Sequence, residues 1–484
     1  MVTRFLALPG LLAAALLLAG CGDGASGPIA ISAIGGEPRL ANPNRDRLDA
    51  PSALLLEATA QGLVRFDAGG EIEPALAQRW IVSDDGLRYI FRLRKATWGG
   101  AGRVDSEQVV ARLRAAAAPP SRNPLNPILG AIDEIVALPD VIEISLKSPR
   151  PSFLQLLAQP EMAIVRAGRG TGPYRAEAQP DGSVRLSLLR EEDEEDNGNE
   201  PPPPLLLRGE DAVTAVARFG ERQADLVIGG TLGDLPLARA VGAPAAQLRF
   251  DPVSGLFGLA FTAPDGAFAR PETRQALAMA IDRPALAAAL GVPGLLPRES
   301  LLPPGIEGLA RVSAPAWIRD PLPARQARST ALLREAGEGG RLTVRVALPD
   351  APGYRLLFVR LRRDWAAVGV ETVRVPAGAA ADLRLIDEVA PAGVASWYLR
   401  HFSCESSRIC DPAADEMMAA ARIAPDAASR RGMLANADRI LAGLGPFIPL
   451  TAPVRWSLVA PRLTGFRPNA LGRHPVGELI RQQP

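Results

Sequence analysis

Leu342-Thr343-Val344-Arg345-Val346-Ala347-Leu348 reads as a strand, Tyr354 to Val368 as an amphipathic helix, and Val370 to Val375 and Asp382 to Ile386 as two further strands. Strand, helix and strand in that order is the pattern of a crossover unit in an open α/β sheet. Ligands of such sheets sit beyond the carboxyl ends of the strands. Asp387 and Glu388 fall at such an end, which makes them candidate ligand contacts. A solvated loop start accounts for the same pair.

Toward the N-terminus lies a second type of unit. Pro51 to Gln61 has a helical pattern closed by Gly62, and Leu63 to Phe66 reads as a strand entering the turn Asp67-Ala68-Gly69-Gly70. Leu87 to Leu93 alternates, with Trp98 shortly beyond. Asp105 and Ser106 are placed to cap a helix from Glu107 to Ala118, with Gln108 at capping-box spacing. Asp133 to Val136 and Val141 to Leu146 read as strands paired around Pro139-Asp140. The two units together predict a mixed α/β chain with a separate small α+β lobe.

The chain begins with Arg4, an apolar stretch from Phe5 to Leu18, and then Leu18-Ala19-Gly20-Cys21. The stretch is too short to span a bilayer as a helix and ends in the small residues a signal peptidase grips. The expectation is a signal peptide over residues 1–20, lipid on Cys21, and a flexible tether over 21–27. An ordinary signal peptide with a chance cysteine is the other reading. Processing before Cys21 leaves 464 of 484 residues, enough for two or three lobes. It also lowers the formal net charge from +1 to about zero, which argues against nucleic acid as a partner.

Cys404 and Cys410 are then an even, closely spaced pair, as expected for a disulfide in an oxidising compartment. A metal pair or two free thiols are the alternatives, and His401 and His474 make no recognised zinc spacing with them. Glu191 to Asp196, followed by Pro201 to Pro204, reads as a solvated acidic loop. The sequence contains no P-loop, no H-E-x-x-H and no G-x-S-x-G. Gly168, Gly170 and Gly172 are not followed by the helix start that a phosphate loop needs. Neither an enzyme nor a cofactor is expected, and both histidines read as structural.

Several blocks resemble one family. Gln61-Gly62-Leu63-Val64-Arg65-Phe66-Asp67, Ile72 to Ala77 with Trp80, Ser83-Asp84-Asp85-Gly86 with Tyr89 to Arg94, and Gly170-Thr171-Gly172-Pro173-Tyr174 occur in its order. Arg274-Gln275-Ala276-Leu277-Ala278-Met279-Ala280-Ile281-Asp282-Arg283 is the most specific of them. Together they look like the family 5 extracellular solute-binding proteins, the peptide- and nickel-binding components of ABC importers. The resemblance implies a two-lobed periplasmic binding protein, type II-like and of cluster C, with an additional small α+β domain. The first lobe would comprise residues 28–50, 171–260 and 449–484, the inserted domain 51–170, and the second lobe 261–448.

It further implies a monomeric, non-enzymatic lipoprotein of the cell envelope, held at the inner or outer membrane through Cys21. Such a protein would deliver di- or oligopeptides to an inner-membrane permease and its ATPase. By the same resemblance Asp387, or next to it Glu388, would hold a peptide's α-amino group. Trp397 and Tyr398 would form an aromatic wall, a plain core role for either being the alternative, and Arg400 would meet a carboxylate. No metal ligand is expected. The usual aromatic after Asp387 is replaced by Glu388-Val389-Ala390-Pro391. Alternative functions are an envelope receptor or chaperone-like peptide binder without a permease, or an importer component for a nickel chelate.

Overall fold

The computed structural model describes residues 27–189, 202–337 and 342–479. The signal segment, Cys21 and the acidic stretch 191–200 therefore lie outside the described residues. Among those described, no helix is long and apolar enough to cross a membrane.

The first lobe is built on a seven-stranded sheet in the order Leu248–Asp251, Arg455–Val459, Leu226–Thr231, Ile29–Ile34, Leu205–Glu210, Val184–Leu188 and Tyr174–Ala178. Ile29–Ile34 is the central strand and runs parallel to both neighbours. Its buried Ile29, Ile31 and Ala33 pack with Leu205, Leu207 and Leu226. Such fully enclosed strands read as near-continuous apolar runs. Helix Ala50–Thr59 covers this core with Leu54, Leu55 and Ala58. The Asp49 side chain accepts from the Ser52 backbone N–H at its start, and Pro51 occupies the first turn, where no backbone donor is needed.

The second lobe carries a five-stranded sheet in the order Glu371–Pro376, Thr343–Leu348, Leu383–Val389, Gly255–Phe261 and Phe447–Thr451. Thr343–Leu348 pairs in parallel with both neighbours, the arrangement of a crossover unit, and helix Pro352–Ala366 makes the connection. Leu357, Leu361 and Trp365 form the buried stripe of that helix. The Trp365 indole donates to the Leu277 carbonyl at 2.9 Å, so its one polar atom is satisfied inside the core.

The small domain is a four-stranded antiparallel sheet, ordered Ala77–Val82, Arg88–Leu93, Val141–Leu146 and Ile132–Leu138, with helix Ser106–Ala117 against it. Tyr89, Phe91 and Leu93 point into its core and alternate with exposed residues, the mark of a sheet with one solvated face. Asp105 caps the helix by accepting from the Gln108 backbone N–H at 2.7 Å. The side chain of Gln108 instead accepts from the Trp98 indole at 2.7 Å. Only half of the expected capping box is therefore made.

Several expected boundaries shift. Gly255–Phe261 pairs along its length with Leu383–Val389, so it belongs to the second lobe rather than the first. Phe447–Thr451 joins the same sheet, which moves the two passages between lobes to 252–254 and 452–454. Helix Ala50–Thr59 shares the first lobe's core instead of opening the small domain. That helix ends at Ala60 in extended backbone, not through a left-handed glycine. Gly62 is required for another reason: a Cβ there would stand 2.7 Å from the Leu157 carbonyl. Gly170 and Gly172 lie against the backbone at residues 58–60, where a side chain would collide. The glycines of this segment thus serve close packing against the helix end.

Candidate functional site

A cleft of about 980 Å³ opens where the two lobes and the small domain meet. It is at the upper end of the range for small-molecule sites. Strand Leu383–Val389 forms one wall. Its parallel neighbour pairs with it only at Val346–Leu383 and Ala347–Arg384 and ends at Leu348, so the strand continues past that edge into the cleft. Asp387 and Glu388 therefore lie within a strand, paired with Phe257 and Leu256, and not in a loop after it.

Asp387 is held by two side chains through three hydrogen bonds. Tyr354 donates its hydroxyl to one carboxylate oxygen at 2.7 Å, and Arg455 donates to the other at 2.7 Å. Arg455 also donates to the Asp387 carbonyl at 3.1 Å. The Asp387 side chain is only 9% exposed. Burial, reinforced by the adjacent Asp387 charge, pushes the Tyr354 hydroxyl well above its ordinary value, which keeps it a neutral donor. The carboxylate expected to be open to a ligand is thus already neutralised from within the protein.

Glu388 faces a different environment. One of its oxygens lies 3.2 Å from His401 Nε2 and the other 3.8 Å from Arg47, and the side chain is 41% exposed. The hydrogen bond with His401 holds this carboxyl below its ordinary range, against the desolvation that opposes it. His401 Nδ1 lies 2.9 Å from the Trp397 carbonyl. Both ring nitrogens face acceptors, so both bonds form together only in the imidazolium.

Trp397 lines the cleft and meets the His401 ring edge-on, with centroids 4.6 Å apart. Tyr398 meets the Trp397 ring edge-on, with centroids 4.9 Å apart, but does not itself line the cleft. It is buried in the second lobe with Leu399 and Phe402, and its hydroxyl lies 3.0 Å from Ser254 Oγ. Successive positions on helix Ala395–Arg400 face different sides, which sends one aromatic to the cleft and the other to the core. Arg400 does line the cleft. Burial, and next the nearby Arg422 charge, push its guanidinium down to about 10. Arg400 also borders a second cavity of about 480 Å³ between the small domain and the second lobe.

Cys404 and Cys410 are joined by a disulfide, and Ser406, Ser407 and Arg408 of the loop it closes line the cleft. The facing walls contribute Arg47 and Asp49 from the first lobe, Arg122 and Glu161 from the small domain, and Arg473. The small domain reaches across to the second lobe: Gln159 donates to the Pro391 carbonyl at 2.6 Å, and Ser148 and Arg150 both donate to the Arg422 carbonyl. Sequence reasoning missed Tyr354 and every cleft arginine except Arg400. Arg455 and Arg473 lie far from Asp387 in sequence and belong to no local motif, so only the juxtaposition of strands could have found them. Among the described residues no cluster of three or more metal-ligating side chains occurs.

Two α/β lobes joined by two adjacent passages, a third small domain, and a cleft between them define a periplasmic binding protein of the OppA and MppA type. The chain belongs to the bacterial extracellular solute-binding proteins, family 5, whose model matches residues 71–398. It is similar to the probable di/tripeptide-binding protein 5 of Pseudomonas aeruginosa, 25% identical over 85% of this chain and 88% of that protein. The Escherichia coli glutathione-binding protein GsiB is 25% identical over 60% of this chain and 58% of its own length. Among solved structures, the E. coli murein tripeptide binding protein MppA superposes with a TM-score of 0.77 at 19% identity, over 94% of this chain and 97% of that one. Haemophilus influenzae OppA in complex with a nonapeptide gives 0.76 at 19% identity, over 93% and 97%. The family is one of binding proteins, not enzymes.

Proposed function

We propose that this protein, anchored to the cell envelope by lipid on Cys21, captures short peptides between its two lobes and delivers them to an inner-membrane ABC permease. The observation that carries the reading is the cleft itself. Its walls come from both lobes and the small domain, so a ligand that touches all three favours the closed arrangement over the open one. That difference in affinity is what a permease can read. The hydrogen bonds from Gln159, Ser148 and Arg150 across to the second lobe are contacts that opening would break. The di/tripeptide-binding relative supports short peptides as the solute class.

Native mass spectrometry of the full-length protein in detergent, with a thermal-shift screen of di- to pentapeptides alongside, tests this. Ligand at about 100 times its dissociation constant adds about 2.7 kcal/mol of stability, visible as a raised melting temperature. A co-purifying or stabilising peptide supports the proposal. A retained non-peptide mass with no response to any peptide overturns the substrate class. Release of Cys21 peptides carrying diacylglycerol on digestion tests the anchor.

A further inference from the structure

We propose that the cleft selects anionic solutes, short peptides whose carboxylates outnumber their ammonium groups, and accepts an N-blocked peptide at least as well as a free one. This rests on the peptide-capture reading and names the class of peptide. Seven of the cleft-lining residues are arginines, against four carboxylates. Each carboxylate has at least one partner, and among them only Glu161 keeps a buried oxygen, Oε2, without a hydrogen bond among the described residues. Asp387 is paired with Arg455, Glu161 accepts from Arg473 at 3.2 Å, and Asp49 accepts from the backbone N–H groups of Ser52 and Gly36. Glu388 is bridged to His401 and faces Arg47. Arg400 and Arg122, by contrast, make no side-chain hydrogen bond or ion pair among the described residues.

A ligand ammonium held at Asp387 would have to displace Arg455 from it. It would leave a guanidinium, 19% exposed, without its partner, and removal of one member of a buried pair is costly. A ligand carboxylate has the opposite experience. It meets a cation whose charge is disfavoured by burial and by Arg422 and only partly offset by Glu405, and it presents the planar oxygens that an arginine fork binds in pairs. Arg400 lines both the cleft and the second cavity, which is also lined by Arg150, Arg422 and Arg430 and by the carboxylates Glu307, Glu405 and Asp415. Arg430 is already paired with Glu307 at 2.7 Å. A solute with a second carboxylate can place one acid at Arg400 and extend the other toward Arg122 on the facing wall of the cleft.

Calorimetric titration of the full-length protein in detergent with Ala-Ala, N-acetyl-Ala-Ala, Ala-Ala amide, Ala-Glu and tricarballylate tests the selectivity. N-acetyl-Ala-Ala is expected to bind at least as tightly as Ala-Ala and about tenfold or more tighter than the amide, with Ala-Glu tighter still. Arg400→Gln should erase most of the difference between acetylated and amidated peptide, and Arg400→Lys should restore part of it. Binding of Ala-Ala that disappears on acetylation, or an amide that matches the acetylated peptide, overturns the anionic selectivity and leaves peptide capture standing. Tricarballylate that binds when no peptide does supports the selectivity for anions and overturns peptide capture. No heat from any of the anions overturns the selectivity, whatever the variants show.

Discussion

Arg455 and Asp387, 68 residues apart in sequence, meet at 2.7 Å across the boundary between the lobes. Arg455 opens the strand that follows the second passage between lobes, while Asp387 belongs to the second lobe's sheet. The pair therefore ties the two bodies together beside the hinge.

Removing one partner leaves a largely buried charge unmatched. Arg455→Met should lower stability by about 3 kcal/mol or more, and Asp387→Leu by a similar amount. The double variant should recover much of that loss, because neither charge is then stranded. Urea midpoints of the four proteins give the coupling, and strictly additive losses would show that the pair contributes nothing as a pair.

Acid should weaken the protein partly through Glu388. Its carboxyl is held below the ordinary value of 4.5, chiefly by His401, so more protons bind in the unfolded than in the folded state at mildly acidic pH. The stability it contributes is fully present above about pH 4.5 and is lost as pH falls through the lower folded value. Glu388→Gln should flatten the acid side of a plot of melting temperature against pH between about 5 and 3. An unchanged slope would place the acid sensitivity elsewhere.

Glu57 has the opposite sign. Burial pushes its carboxyl up to about 7 against the pull of Arg473, and the like charge of Glu161 adds a smaller push in the same direction as burial. Between its ordinary value of 4.5 and about 7 the folded state holds the proton more tightly, so stability falls as pH rises through that window. Glu57→Gln should thus stabilise the protein at pH 8 by no more than about 3 kcal/mol and have little effect near pH 4. Chemical denaturation at the two pH values decides it.

The disulfide closes a short loop, with a sequence separation of 6. Constraint of so short a loop in the unfolded chain is worth about 2 kcal/mol. Cys404→Ser/Cys410→Ser should lose about that much stability in denaturant, and peptide affinity should fall as well, because Ser406, Ser407 and Arg408 line the cleft from within the loop. Full affinity in the variant would mean that the rest of the loop, including the bond from the Cys404 N–H to Asp415 at 3.0 Å, holds it in place alone.

How much of this was legible beforehand depended on the range of the interaction. Helix Pro352–Ala366, strands Thr343–Leu348 and Glu371–Pro376, and the pair Ile132–Leu138 and Val141–Leu146 were readable because apolar periodicity is a local property that survives into the fold. Helix Ala50–Thr59 was also readable as a helix. Its lobe was not, since membership depends on which distant strands its buried face meets.

The sequence by itself determined the mixed α/β class, the separate small α+β unit, the family resemblance and the placing of Asp387 and Glu388 near a sheet edge. All of these follow from short-range pattern and motif order. Only the tertiary structure decided that Asp387 is neutralised by Arg455 and hydrogen-bonded by Tyr354, that Tyr398 turns into the core while Trp397 faces the cleft, and that the cleft carries an excess of arginine. Charge compensation is set by distance in space, and the chain brings these side chains together only when strands from different lobes converge at the hinge.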